Sequence, residues 1–195
     1  MSGRIDNGGL ERRQAIGELR VDLSEDRKIR GYAIVFDSRS VDLGGFTEII
    51  KPSAVDRTLK EAMDVRALVD HDTAKIIGRT RAGTLALRKD ARGLRIEIDP
   101  PNTTVANDIL ESVSRGDVTG MSFAFRTLDD DWHMEGGLPV REVLDMVISE
   151  VSIVTFPAYP STDVQVAHRS LAQFQQHMGG SQIAWMEKWN RNRAV

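Results

Sequence analysis

A histidine, a serine and a glutamate interrupt apolar, strand-like runs in this chain: His71 in VRALVDHD, Ser122 in TGMSFAF and Glu150 in MVISEVSIV. Together they supply the groups of a serine acyl-transfer site: a nucleophilic hydroxyl, an imidazole to take its proton, and a carboxylate to orient that imidazole and balance its charge. Taken singly, each has a plain structural explanation. A small serine in a strand commonly fills space and bonds to backbone. A histidine at a strand end commonly caps or faces solvent, although imidazole is the natural proton acceptor at neutral pH. Glu150 is the most constrained of the three, because a carboxylate among Met146, Val147, Ile148, Val151, Ile153 and Val154 is costly to bury alone. Either it holds His71 in one tautomer, or it pairs with an arginine such as Arg79 or Arg81, or it faces solvent from a strand edge. Asp72 and Asp145 are the alternative orienting acids.

Other chemistries find less support. The chain has no cysteine, which excludes disulfides, thiolate metal sites and a cysteine nucleophile. His133 lies in a polar stretch, His168 and His177 lie on a helix-like segment, and no HExxH pairing occurs, so neither a metal nor any other cofactor is implied. TGMSFAF is not the GxSxG elbow. The order histidine, serine, acid also differs from that of the hydrolases using that elbow and of the peptidases ordered His, Asp, Ser. Gly120, two residues before Ser122, lacks a side chain and would let another segment approach closely.

The elements that must position these groups read mostly as strands. Alternation at Leu19, Val21 and Leu23, the turn-forming SEDR, and the run Ile29 to Phe36 predict a hairpin over residues 18 to 36. A second hairpin is predicted where Leu85 and Leu87 meet Leu94, Ile96 and Ile98 around Asp90 to Gly93, with strands at 65 to 70 and 75 to 80 between the two. Pro52 opens a short helix, and Asn102 to Thr104 cap a second one whose Val105, Ile109 and Val113 share a face and which Gly116 ends. Residues 127 to 138, TLDDDWHMEGGL, read as an exposed loop, and VREVLDMVISEVSIVTF after it reads as a long strand. Beyond Pro160, Leu171, Phe174 and Met178 form a helical apolar face. Gly179 and Gly180 suggest a hinge, and Ile183, Met186 and Trp189 a further amphipathic helix. That tail either packs on the protein's own sheet or docks on a partner, as the placement of Trp185 and Trp189 beyond a double glycine favours.

Composition agrees with a folded domain. The 195 residues are 41% hydrophobic and 28% charged with a formal charge of -3, which favours neither disorder nor a phosphate-binding stripe, so nucleic acid is not an expected direct ligand. No apolar run approaches the roughly 20 residues of a membrane-spanning helix, and MSGRIDNGGLERR lacks the apolar core of a signal peptide, so the expected location is cytoplasmic.

Five separated blocks resemble, in order, the prohead (head-maturation) proteases of tailed bacteriophages: GYAIVFD, GGFTEIIKPSAVDRTL, LVDHD followed by IIGRT, SRGDVTGMSFAF, and EVSIVTFPAYP. The resemblance runs from about Gly31 to Pro160 and implies the fold type of the herpesvirus assemblins, a mostly β, closed or partly closed barrel with peripheral helices. It assigns the nucleophile to Ser122, the general base to His71 and the orienting acid to Glu150, the phage form of a site whose third member in assemblins is a second histidine. Assemblins take their oxyanion donor from an arginine-containing loop after that third member, and only Arg169 lies downstream near that point here. The implied domain plan is a flexible segment over residues 1 to 16, a protease domain over 17 to 160 and a helical tail over 161 to 195. The implied function is a serine endopeptidase that cleaves the major capsid protein, its scaffold region and itself inside the immature prohead in the host cytoplasm, with self-association left open. The alternative from another class is a non-catalytic assembly or scaffolding factor of the same fold.

Overall fold

The computed structural model describes residues 9–16, 19–21, 26–155 and 165–177. Ten strands and three α-helices follow in the order β1 (Glu11–Ile16), β2 (Arg20–Val21), β3 (Ile29–Val35), β4 (Thr47–Ile50), α1 (Asp56–Lys60), β5 (Arg66–Val69), β6 (Asp72–Arg79), β7 (Leu85–Lys89), β8 (Gly93–Ile98), α2 (Thr104–Arg115), β9 (Gly120–Glu135), β10 (Leu138–Val154) and α3 (Gln165–His177). The fold is mostly β with few helices. A four-stranded sheet runs β2-β3-β8-β7, and a six-stranded sheet runs β1-β9-β10-β5-β6 with β4 also on β10. Pairing is antiparallel except along one edge of β10, where β4 and β5 lie parallel to it in succession. The apolar faces of both sheets and the Ile109, Leu110 and Val113 face of α2 close one core. Val105, expected on that face, is exposed.

Both predicted hairpins form, as β2 with β3 and β7 with β8. Thr103 caps α2 by accepting from the Ala106 amide, and Gly116 ends the helix with a left-handed φ of 81°. The stretch expected to be a loop does not exist as one. β9 continues to Glu135 and pairs with β10 from Leu138, so only Gly136 and Gly137 turn, with φ of 57° and 85°. Positive φ at both central residues is what a two-residue hairpin matching the strand twist requires. The polar arm stays extended because its groups find partners: Asp130 accepts from Arg141 Nε at 2.7 Å, and Trp132 Nε1 donates to Ser170 at 2.8 Å.

The segments at the two ends add to this picture, the first by differing from expectation and the second by meeting one of its two alternatives. Residues 11–16 fall within the segment expected to be flexible, yet they form β1, laid antiparallel on the free edge of β9. Backbone pairing and buried charge partners hold this polar segment where hydrophobicity would not. Phe174, expected either to pack on the protein's own sheet or to meet a partner, stacks on Trp132 with ring centroids 5.8 Å apart, and Leu171 and Ala167 of α3 bury against Leu43 and Phe46. The glycine hinge and the helix expected around Ile183, Met186 and Trp189 lie outside the described residues, as do Leu23 and Met178.

Candidate active site

Two neighbouring strands and a turn carry the three expected groups. On β9, Met121, Phe123 and Phe125 turn into the core, which leaves Ser122 and Ala124 on the opposite face. Across the ladder Ser122 faces Ser152 of β10, and Ala124 faces Glu150. Glu150 reaches that face through a bulge: Ile148 pairs with Phe125 and Glu150 with Ala124, so two steps on β10 match one on β9. In a regular strand Ile148 and Glu150 would share a face. The extra residue, Ser149, turns the carboxylate away from the core side that Ile148 occupies. Gly120 permits the close packing of β9 on β10 here, since a Cβ would lie 3.0 Å from the Val154 carbonyl.

His71 arrives from a tight turn. Asp70 and His71 are the two central residues between β5 and β6, with φ of 50° and 59°, a conformation that asparagine, aspartate and histidine tolerate better than other side-chain-bearing residues. The turn is tied to the end of β10: the Asp70 amide donates to Ile153 O at 2.9 Å, and the Asp70 carboxylate accepts from the Thr155 amide at 2.9 Å. His71 is thereby brought over the site-facing side of β10.

The resulting contacts form a line. His71 Nδ1–H donates to Glu150 Oε1, which fixes the tautomer and leaves Nε2 as an acceptor. Nε2 stands 2.8 Å from Ser122 Oγ. The serine hydroxyl also lies 2.9 Å from the Arg13 carbonyl oxygen of β1, so one proton serves two acceptors. Ser122 is 1% exposed, covered by that strand. Ser152 Oγ is buried and makes no hydrogen bond among the described residues.

The other candidates are engaged elsewhere. Arg79 binds Asp64 at 2.8 and 2.6 Å rather than Glu150. Asp145 binds Arg57 at 3.0 and 2.6 Å, and Asp72 accepts from the Ala74 amide at 2.9 Å and pairs with Lys75. His133 lies 3.7 Å from Glu135, His168 stands edge-on to Phe46, and Arg169 is exposed on α3. Arg81 is exposed beyond β6, and the His177 side chain is outside the described ones. Among the described residues, no cluster of three or more His, Asp or Glu side chains suited to a metal ion forms.

Sequence reasoning missed a buried charged cluster on the face of β9 opposite the serine's. Arg141 of β10 and Glu48 of β4 are ladder partners, both buried, with Arg141 NH1 2.9 Å from Glu48 Oε2. β1 adds Arg13, whose Nε donates to Glu48 Oε1 at 2.8 Å, and Glu11, which accepts from Arg141 at 2.6 and 3.2 Å and from Thr127 at 2.6 Å. Arg12, on the other face of β1, comes within 3.8 Å of Glu150. Burial pushes Glu11 up, but Arg141 and then Arg13 outweigh it and hold the carboxyl below its ordinary range. Burial likewise works against the Arg141 charge, yet Glu48, Glu11 and Asp130 hold it more firmly protonated than usual. The signal that singled out Glu150, a charge inside an apolar run, was equally present at Arg141 in PVREV and Glu48 in FTEII.

Comparison with known proteins gives these contacts a context. The capsid assembly protease of bacteriophage T4 aligns with a TM-score of 0.44 and 9% identity, over 74% of this chain and 98% of that one. Among curated proteins none matches. The family model described as caudovirus prohead serine protease matches residues 17–177, starting just past β1 and spanning both sheets and α3, and the chain therefore belongs to that family.

Proposed function

We propose that the chain is a serine endopeptidase of prohead maturation in which Ser122, His71 and Glu150 act as a triad. The observation that carries this reading is the continuous line of contacts from Glu150 Oε1 through both ring nitrogens of His71 to Ser122 Oγ. Ser122 attacks a peptide carbonyl while His71 Nε2 takes its proton, and Glu150 balances the imidazolium that results. His71 returns the proton to the departing amine, then draws one from the water that hydrolyses the acyl-enzyme. Family membership supports scaffold protein, the scaffold-like region of the major capsid protein, and the protease itself as substrates, with the interior of the immature shell as the place of action. An assemblin-like barrel, closed or partly closed, accords with a six-stranded sheet in which β10 carries β9 on one edge and β4 and β5 in succession on the other.

One observation favours the non-catalytic alternative: the hydroxyl is covered by β1. Processing of the capsid protein by the purified chain separates the two readings. The expected result is cleavage by the wild type, a fluorophosphonate adduct on Ser122 when the probe is present throughout, and loss of about 10⁶-fold in turnover in folded Ser122→Ala. Undiminished processing by Ser122→Ala would overturn the serine mechanism, and no processing by the wild type would leave the assembly-factor reading.

A further inference from the structure

The strand that covers the serine lies as a substrate would. β1 is the outermost strand of its sheet, added antiparallel to the free edge of the serine-bearing strand by main-chain pairing, with Gln14 opposite Ser122. Such strand addition needs no particular sequence for its backbone bonds, and selectivity comes from what receives the alternate side chains. The carbonyl beside Ser122 Oγ belongs to Arg13, so the peptide bond presented to the nucleophile is Arg13–Gln14.

The alternate side chains on the buried side of β1 meet groups that fit them. Arg13 donates through Nε and NH2 to the two oxygens of Glu48 at 2.8 and 3.1 Å, with its guanidinium 5.6 Å from the centre of the Phe125 ring. Glu11, two residues earlier, is gripped by Arg141 through two bonds, with Thr127 adding a third. Without β1 the receiving groups remain organised, because Arg141 still pairs with Glu48 and with Asp130. Two carboxylates against one guanidinium leave that floor with one net negative charge, suited to an incoming cation. The family match also begins at residue 17, past the strand that fills the groove.

We propose that Glu48 and Arg141 are the specificity-determining residues of the peptidase: Glu48 selects arginine or lysine as the residue donating the scissile carbonyl, Arg141 selects glutamate two residues before it, and Glu11 to Gln14 is the chain's own cleavage segment. This rests on the peptidase reading above. The reaction at this segment is ordinary acyl transfer. Ser122 Oγ bonds to the Arg13 carbonyl carbon, its proton passes by His71 to the Gln14 nitrogen as the C–N bond breaks, and water then frees the Arg13 carboxylate. While the Arg13 carbonyl oxygen accepts from Oγ, the strand blocks the site; attack requires that oxygen to turn away from the nucleophile.

The test uses the full-length protein. Mass spectrometry of the incubated wild type should find a new amino terminus at Gln14, and Ser122→Ala should lack it. In trans, kcat/KM for a quenched peptide containing Glu-Arg-Arg-Gln should exceed by at least about 10²-fold that for the peptide with glutamate in place of the second arginine, since buried groups built to bind a partner reject one lacking it. Replacing the peptide's glutamate with alanine should lower kcat/KM by roughly tenfold or more. Glu48→Gln should narrow the preference for arginine over glutamine at the same position; the substrate series on the wild type stands even if this buried variant fails to fold. Ser122-dependent cleavage of a mixed peptide library without preference for a basic residue, or cleavage of the chain only at other bonds, overturns the specificity and leaves the peptidase intact. Absence of any cleavage together with no fluorophosphonate adduct overturns both.

Discussion

At the scale of single residues, the site turns on where one proton sits. Glu150 accepts the hydrogen bond of His71 Nδ1–H, which obliges Nε2 to act as acceptor toward Ser122 Oγ, and the Arg13 carbonyl competes for the same hydroxyl proton. Replacing the carboxylate with an amide leaves a group that can donate to Nδ1, which favours the opposite tautomer and cannot balance an imidazolium. Glu150→Gln is therefore expected to fold normally and to lose about 10⁴-fold in kcat on a capsid-protein or peptide substrate. A near wild-type rate in the folded variant would mean that Glu150 serves only as an ion partner, for which Arg12 at 3.8 Å is the available cation.

At the scale of elements, two local irregularities bring the groups together. The bulge at Ser149 turns Glu150 to the serine's face, and the left-handed pair Asp70 and His71 turns the imidazole back over β10. Asp70 is a positioning residue on this account, because its carboxylate binds the Thr155 amide at 2.9 Å and touches no reacting atom. Asp70→Ala should lower kcat by about tenfold with little change in KM, as misplacement of a catalytic group does, whereas Asp70→Asn, which keeps an acceptor and tolerates positive φ, should retain most activity. Equal effects of both variants, or a change in KM alone, would contradict that role. The regular elements were legible in the sequence because their signals are local: alternation in β7 and β8, Thr103 and Gly116 around α2, and the apolar run of β10. The two-glycine hairpin was not, since Asp129 to Glu135 read as polar loop until Arg141 and Ser170 supply partners from elsewhere in the chain. Nor was the bulge: strict alternation gives Glu150 the face of Ile148, and only the pairing with β9 reveals the extra residue.

At the scale of the whole molecule, charges distant in sequence decide how the amino-terminal strand is held. ERRQ reads as a mobile polar start because its partners, Glu48, Thr127 and Arg141, lie on three other strands. Removing one member of such a buried set leaves another without compensation, whereas the intact set balances its own desolvation. The pH dependence follows from Glu11, on which Arg13 of its own strand, Arg141 of β10 and the Thr127 hydroxyl of β9 act, with Glu48 and Asp130 sharing the same guanidinium groups. Its folded carboxyl titrates below the ordinary range, so the folded state binds the proton less readily than the unfolded chain does. The stabilisation it contributes is complete above the ordinary glutamate value of about 4.3 and fades as pH falls through the depressed folded value. Asp64 with Arg79, Asp56 with Lys89 and Glu97 with Lys28 and Arg30 are depressed in the same direction, so the whole protein should weaken in acid and Glu11 must be isolated by difference. Urea unfolding of Ser122→Ala, with and without Glu11→Gln, supplies that difference. The glutamine background should be less stable at pH 7 and show a shallower loss below about pH 4.3, the two curves converging as acid removes what Glu11 contributed. Parallel curves across that window would show that Glu11 gains nothing from its ionised form, and β1 would then be held by main-chain pairing and by Arg13 on Glu48.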